Sequence, residues 1–164
     1  MRILIADDHA IVREGLCSLL KVYEDLEVCG EASNGEEAIQ RAIELQPHLV
    51  ILDVTMPVLN GFRAAKEINE LMPDVPILTL SMHDGEEMVR ISRLAGASGF
   101  VTKTEIGEVL LQAINTLVAG KTFFPNGNRC YADSEHNPAN LNEREPQKPR
   151  GLAHDRWLRK AKLK

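Results

Sequence analysis

Five short apolar runs, each followed by a segment of helical period, constrain this chain more than any other feature. Ile3-Leu4-Ile5-Ala6 ends at Asp7-Asp8, and Val12, Leu16, Leu19 and Leu20 then recur at helical spacing. Leu26 to Ala32 reads as a second strand. Glu36 to Leu45 reads as a helix with Ala38, Ile39, Ala42 and Ile43 on one face. Ser33-Asn34-Gly35-Glu36 offers a capping residue with Glu36 three positions on. Leu49-Val50-Ile51-Leu52 is continuously apolar, as a strand buried on both faces must be. A helix over 61–71 stopped by Pro73, a strand over 75–81, a helix over 86–94, a strand over 99–102 and a helix over 105–118 closed by Gly120 complete the series. Five β-α units in 120 residues predict an α/β domain, a parallel sheet with helices on both faces.

The pattern breaks after Gly120. Residues 125–142 are rich in Asn, Pro, Gly, Asp and Ser without a period, so 121–140 reads as a linker. The segment 141–164 is interrupted by Pro146, Pro149 and Gly151, and only Leu152, Trp157, Leu158 and Leu163 offer large buried area. Four such residues do not build a core. Charge divides the same way. Residues 1–120 carry 9 Lys+Arg against 19 Asp+Glu, a net −10, and 121–164 carry 10 against 5, a net +5. Bulk charge therefore excludes phosphate-backbone binding by the first part and leaves it open only for the basic tail. Aromatics at 4% argue against a stacking platform for nucleic acid or sugar. No apolar stretch approaches the roughly 20 residues of a membrane span. Asp7-Asp8 interrupts any signal-peptide core, and three cysteines without CxxC spacing (Cys17, Cys29, Cys130) fit a reducing cytoplasm.

In an open parallel sheet, ligands gather beyond the carboxyl ends of the strands. Those ends carry Asp7-Asp8, Asp53, Ser81 and Lys103. Taken singly, each is an ordinary turn or cap residue. Together, the carboxylates invite a hard divalent cation, and a lysine with a hydroxyl opposite would neutralise a bound phosphoryl group. No GxGxxG or P-loop follows the first run, which argues against a nucleotide fold.

Asp7-Asp8, Asp53-Val-Thr-Met-Pro57-Val-Leu-Asn-Gly61, Ser81, Ala95-Gly96-Ala97 and Gly99-Phe100-Val-Thr-Lys103 resemble the receiver domain of two-component response regulators over residues 2–119. The opening 6–16 is similar to the NarL/FixJ branch, whose receivers precede a LuxR-type helix-turn-helix. The resemblance implies a flavodoxin-like (βα)5 doubly wound sheet of order 2-1-3-4-5. It also implies Asp53 as phosphoacceptor for a histidine kinase, and Mg²⁺ held by Asp8 and Asp53, with Asp7 acting through water and Thr55 giving its backbone carbonyl. Lys103 and Ser81 would contact the phosphoryl group, Ser81 and Phe100 would form the switch, and Thr55 and His83 would tune dephosphorylation. His9 and Arg13 lie where a kinase helix would dock or, equally, at a solvated helix start. Met56 and Pro57 shape the loop, and Gly61 permits a tight helix entry.

Leu141-Asn-Glu-Arg-Glu145 resembles the opening of a LuxR-type domain, and the resemblance stops at Pro146. The 44 residues after Gly120 are too few for such a domain, and no recognition helix follows. The segment 141–164 is therefore expected to be a truncated or frameshifted remnant, and specific DNA binding is not expected of this chain. The expected output is a phosphorylation-controlled switch with homodimerisation or partner binding and, in full-length relatives, control of transcription. A stand-alone receiver acting as a phosphate sink or dimerisation competitor is the alternative. A small-phosphate phosphatase is disfavoured, because a dehalogenase-type site wants an aspartate where Thr55 stands.

Overall fold

A computed structural model describes residues 1–126 and 130–133; the tail segment 141–164 discussed above lies outside the described residues. The elements run β1 (Arg2–Ala6), α1 (Ala10–Leu20), β2 (Glu27–Ala32), α2 (Gly35–Leu45), β3 (Leu49–Asp53) and α3 (Gly61–Leu71), then β4 (Ile77–Ser81), α4 (Glu86–Leu94), β5 (Gly99–Thr102), α5 (Ile106–Val118), β6 (Phe123–Asn126) and β7 (Cys130–Asp133). One sheet has the order β2-β1-β3-β4-β5-β6-β7. The five expected strands thus stand in the expected order, all parallel, and β6 joins β5 in parallel before β7 turns back antiparallel.

Alternation along the strands divides the core into two layers. Ile3, Ile5, Leu49, Ile51, Leu78, Leu80 and Val101 pack with Leu16 and Leu20 of α1 and Leu110, Ile114 and Leu117 of α5. Leu4, Ala6, Val50, Leu52 and Ile77 face the other way, onto Ala38 and Ala42 of α2 and Ala64, Ala65 and Ile68 of α3. Successive strand residues point to opposite faces, so each continuous apolar run feeds both layers. Small residues on α2 and α3 let those helices lie close to the sheet.

Two local expectations are corrected. The α2 cap is Asn34, whose side chain accepts from Glu37 N at 2.9 Å. Glu37, not Glu36, therefore occupies the third helical position, and it accepts from the amide and hydroxyl of Ser33 at 2.8 and 2.9 Å. Those two bonds, amide first, hold the Glu37 carboxyl below its ordinary pKa. The second correction concerns 121–140, expected as linker. Phe123 and Phe124 are buried and β6 and β7 extend the sheet. Two phenylalanines inside Lys121-Thr-Phe-Phe-Pro-Asn-Gly127 are too short a run to show a period. Among the described residues, no helix is long and apolar enough to cross a membrane.

Candidate functional site

Each functional side chain sits where a buried strand ends. β1, β3, β4 and β5 are neighbours, and their carboxyl ends bring Asp7, Asp53, Ser81 and Lys103 to one edge of the sheet. Asp7 and Asp53 are essentially fully buried, whereas Asp8 follows at the start of the turn and is partly exposed. The Lys103 ammonium lies 2.6 Å from Asp7 Oδ2 and 3.0 Å from Asp53 Oδ2, so one cation bridges two buried carboxylates. Lys103 is delivered there by its own backbone, whose N–H donates to Ser81 O at 2.7 Å.

Electrostatics follow from this geometry. Burial pushes the Asp53 carboxyl above its ordinary pKa; Lys103 opposes the shift and the Asp7 charge adds to it. Burial alone would lower Lys103, but the Asp7 and Asp53 carboxylates outweigh it and the ammonium is held above its ordinary value. Three carboxylates against one ammonium leave two formal negative charges uncompensated. One ligand atom each from Asp7, Asp8, His9 and Asp53 lies within 4.8 Å of the others. Carboxylate oxygens in that number and spacing fit a divalent cation such as Mg²⁺.

The remaining predicted residues fall around this cluster. Thr55 is exposed and its N–H donates to Asp53 Oδ1 at 3.3 Å. Ser81 is buried, and its hydroxyl accepts from His83 N at 3.0 Å, while the His83 side chain stands exposed. Phe100 is fully buried opposite Thr79 in the β4–β5 register, so its ring already occupies the interior. Thr79 Oγ1 donates to Gly99 O at 2.9 Å and contacts the buried Ser92 hydroxyl of α4 at 3.1 Å, pinning α4 to the sheet beside it. Gly61 does what the tight entry requires. A Cβ there would lie 1.9 Å from the Asp53 carbonyl oxygen, so only glycine lets α3 start against the site strand.

His9 and Arg13 are singled out by the sequence at the helix start, but their contacts, like the conformation of Val58, are not legible there. Arg13 reaches back to donate to the Asp7 carbonyl at 2.8 Å and pairs with Glu31 at 3.0 Å, fixing the β1–α1 turn. His9 places Nδ1 2.7 Å from Asp8 Oδ1, and its only sequence signal is adjacency to the aspartate pair. Val58 adopts φ +67 while 74% exposed, a left-handed conformation unusual for a β-branched residue.

Residues 3–115 match the family model of the response regulator receiver domain. The chain belongs to the response regulator receiver family. It is 41% identical over 124 residues to the oxygen regulatory protein NreC of Staphylococcus epidermidis, covering 75% of this chain and 57% of that protein. It is 38% identical over 125 residues to the transcriptional regulatory protein LnrK of Bacillus subtilis, covering 76% and 57%. The chain thus spans little more than half the length of the curated relatives it matches. Among solved structures, a LuxR-family two-component response regulator from Aurantimonas superposes with TM-score 0.72 at 35% identity, covering 77% of this chain and 90% of that one. The isolated receiver domain of RcsB from Salmonella enterica, determined with phosphomimetic BeF3−, superposes with TM-score 0.70 at 29% identity, covering 77% and 94%. The receiver fold and the NarL/LuxR-type relationship expected from the motifs are both shown.

Proposed function

We propose that Asp53 accepts a phosphoryl group from the phosphohistidine of a sensor histidine kinase in the cytoplasm, within a receiver whose sheet continues past Gly120 through β6 and β7, and that 141–164 is a basic remnant of a DNA-binding domain. The observation that carries this is the buried Asp53 carboxylate held 3.0 Å from the Lys103 ammonium at the carboxyl edge of the sheet. An Asp53 oxygen attacks phosphorus in line, its P–O bond forms as the P–N bond breaks, and the histidine nitrogen leaves with the electron pair. Lys103 is freed from sharing Asp53 and donates to a phosphoryl oxygen, while Ser81 turns its hydroxyl from His83 N to the same group. Asp8, Asp53 and the Thr55 carbonyl would hold Mg²⁺, with Asp7 acting through water, and the cation would supply charge neutralisation. The reaction ends at one stoichiometric modification, reversed by water attack along a path flanked by Thr55 and His83.

The signal leaves through Ser81 and Phe100 to the α4–β5–α5 face, because the hydroxyl and the ring sit on adjacent strands. Output would run through a phosphorylation-dependent homodimer or a partner protein. A stand-alone receiver that drains a kinase is the second reading. The test treats the full chain with Mg²⁺ and a small phosphodonor. Intact mass should show one phosphoryl group per chain, absent in Asp53→Asn, and Thr55→Asn should change its lifetime. Continuous turnover of the donor far beyond the protein present would replace this reading with a phosphatase. Sedimentation with beryllofluoride separates the two outputs: a dimer supports the switch, a persistent monomer the sink.

A further inference from the structure

An apolar groove lies open between the end of α1 and the start of α5. Leu19 of α1, with Val22 and Tyr23 of the turn after it, forms one wall, and Ile106, Leu110 and Leu111 of α5 form the other. Val22 is 75% exposed, and Leu19 and Tyr23 are 43% and 42% exposed. Single apolar side chains on a surface are ordinary, but three beside one groove mark a place that another apolar surface covers. The charge around it is negative. Glu108 lines the groove, α5 carries no lysine or arginine, and Glu24 and Asp25 follow Tyr23 directly, against Lys21 before Val22.

We infer that this groove is covered by the chain's own basic end, residues 152–164, with Trp157 and Leu158 as its anchors. That segment lies outside the described residues. It carries five Lys+Arg against Asp155, the opposite sign to the groove. Ala153, Trp157 and Ala161 recur at every fourth position with Leu158 beside Trp157, the anchor spacing of a segment laid into an apolar groove. The path allows it. Phe123 of β6 packs in the layer of α1 and α5, so the chain leaves the sheet from the edge that α5 covers. The 18 residues 134–151 then span up to about 60 Å extended, roughly twice the breadth of a small domain. Tethering also makes the contact intramolecular, which populates it at any protein concentration. A second copy in the groove would bury the same apolar residues, but it would set two negative faces against each other. Neither Asp53 nor a metal takes part, so the tail contact stands or falls apart from the phosphoacceptor reading.

Trp157 is the chain's single tryptophan, so its emission reports the tail alone. The test uses the full 164-residue chain near neutral pH, at a concentration where sedimentation shows a monomer. Wild-type emission is expected well to the blue of that in urea, with acrylamide quenching several-fold slower. Val22→Lys and Glu108→Lys put a like charge where the basic segment lies. Each should move emission to the red and restore quenching while the far-ultraviolet dichroism stays native. Leu71→Lys, also at an exposed position but at the end of α3 on the other face of the sheet, is expected to change neither. Quenching as fast in the wild type as in urea overturns the inference. So does protection that Val22→Lys leaves intact, or that Leu71→Lys removes equally. Protection that appears only as the chain dimerises assigns the groove to a second copy and overturns it too.

Discussion

At the scale of the residue, the site is built against its own stability. Asp7 and Asp53 are buried a single lysine apart, and burial raises the Asp53 carboxyl above its ordinary pKa. A raised folded-state pKa means that stability is fully present below the unfolded value and is lost as pH rises through the folded one. At pH 7, Asp53 therefore costs the metal-free protein stability. Asp53→Asn removes that charge and leaves Lys103 to Asp7 alone. The expected outcome is a higher midpoint of denaturation for metal-free Asp53→Asn than for wild type at pH 7, alongside complete loss of phosphorylation. A lower midpoint would show that the Lys103–Asp53 attraction outweighs burial and the Asp7 repulsion. Asp7, Asp53 and Lys103 were legible because a polar residue closing a buried apolar run is conspicuous. Their pairing was not legible: it depends on β1 and β5 sending side chains to one point from 96 positions apart (103 − 7).

At the scale of the element, contacts of similar reach decide how strands begin. β1 and the entry to β3 are clasped at their starts. Arg2 N donates to His48 Nδ1 at 2.9 Å, and His48 N donates to Arg2 O at 2.8 Å. Desolvation first, then the N-terminal ammonium and Arg2, lower the His48 pKa against a smaller opposing effect of Glu27. The unfolded chain therefore takes up a proton near pH 6.5 that the folded chain resists. Stability should fall as pH drops through that value and level off below the folded pKa. In His48→Asn, whose amide oxygen keeps an acceptor for Arg2 N–H, the difference from wild type should shrink between pH 7.5 and 5.5. Parallel urea-stability profiles across that range would remove His48 from the account. Strand positions were read correctly from apolar runs, whereas this clasp was invisible, because a histidine after a proline carries no period.

At the scale of the whole molecule, the question is where the domain ends. The two-layer core is legible because five strands and five helices each carry a pattern signal, and that signal stops at Gly120. The fold continues past it. Phe123 is 2% exposed within the layer built by α1 and α5, and its N–H donates to Ser98 O at 3.0 Å, attaching β6 to the edge of β5. Phe124, also 2% exposed, lies 3.7 Å beneath the Arg93 guanidinium of α4, a cation–π contact across elements that the apolar pattern does not encode. A chain cut after Gly120 loses a core phenylalanine and uncovers the edge of the strand that carries Phe100 and leads to Lys103. Emptying a buried phenylalanine site costs about 3–5 kcal/mol. The 1–120 chain is therefore expected to unfold at clearly lower urea than 1–133, with a loss of that order. Hydrogen exchange in β5 should rise first, since that edge is the one exposed. Equal midpoints for the two chains would mean that β6 rests on a domain already complete without it, and that the periodic signal marked the true boundary.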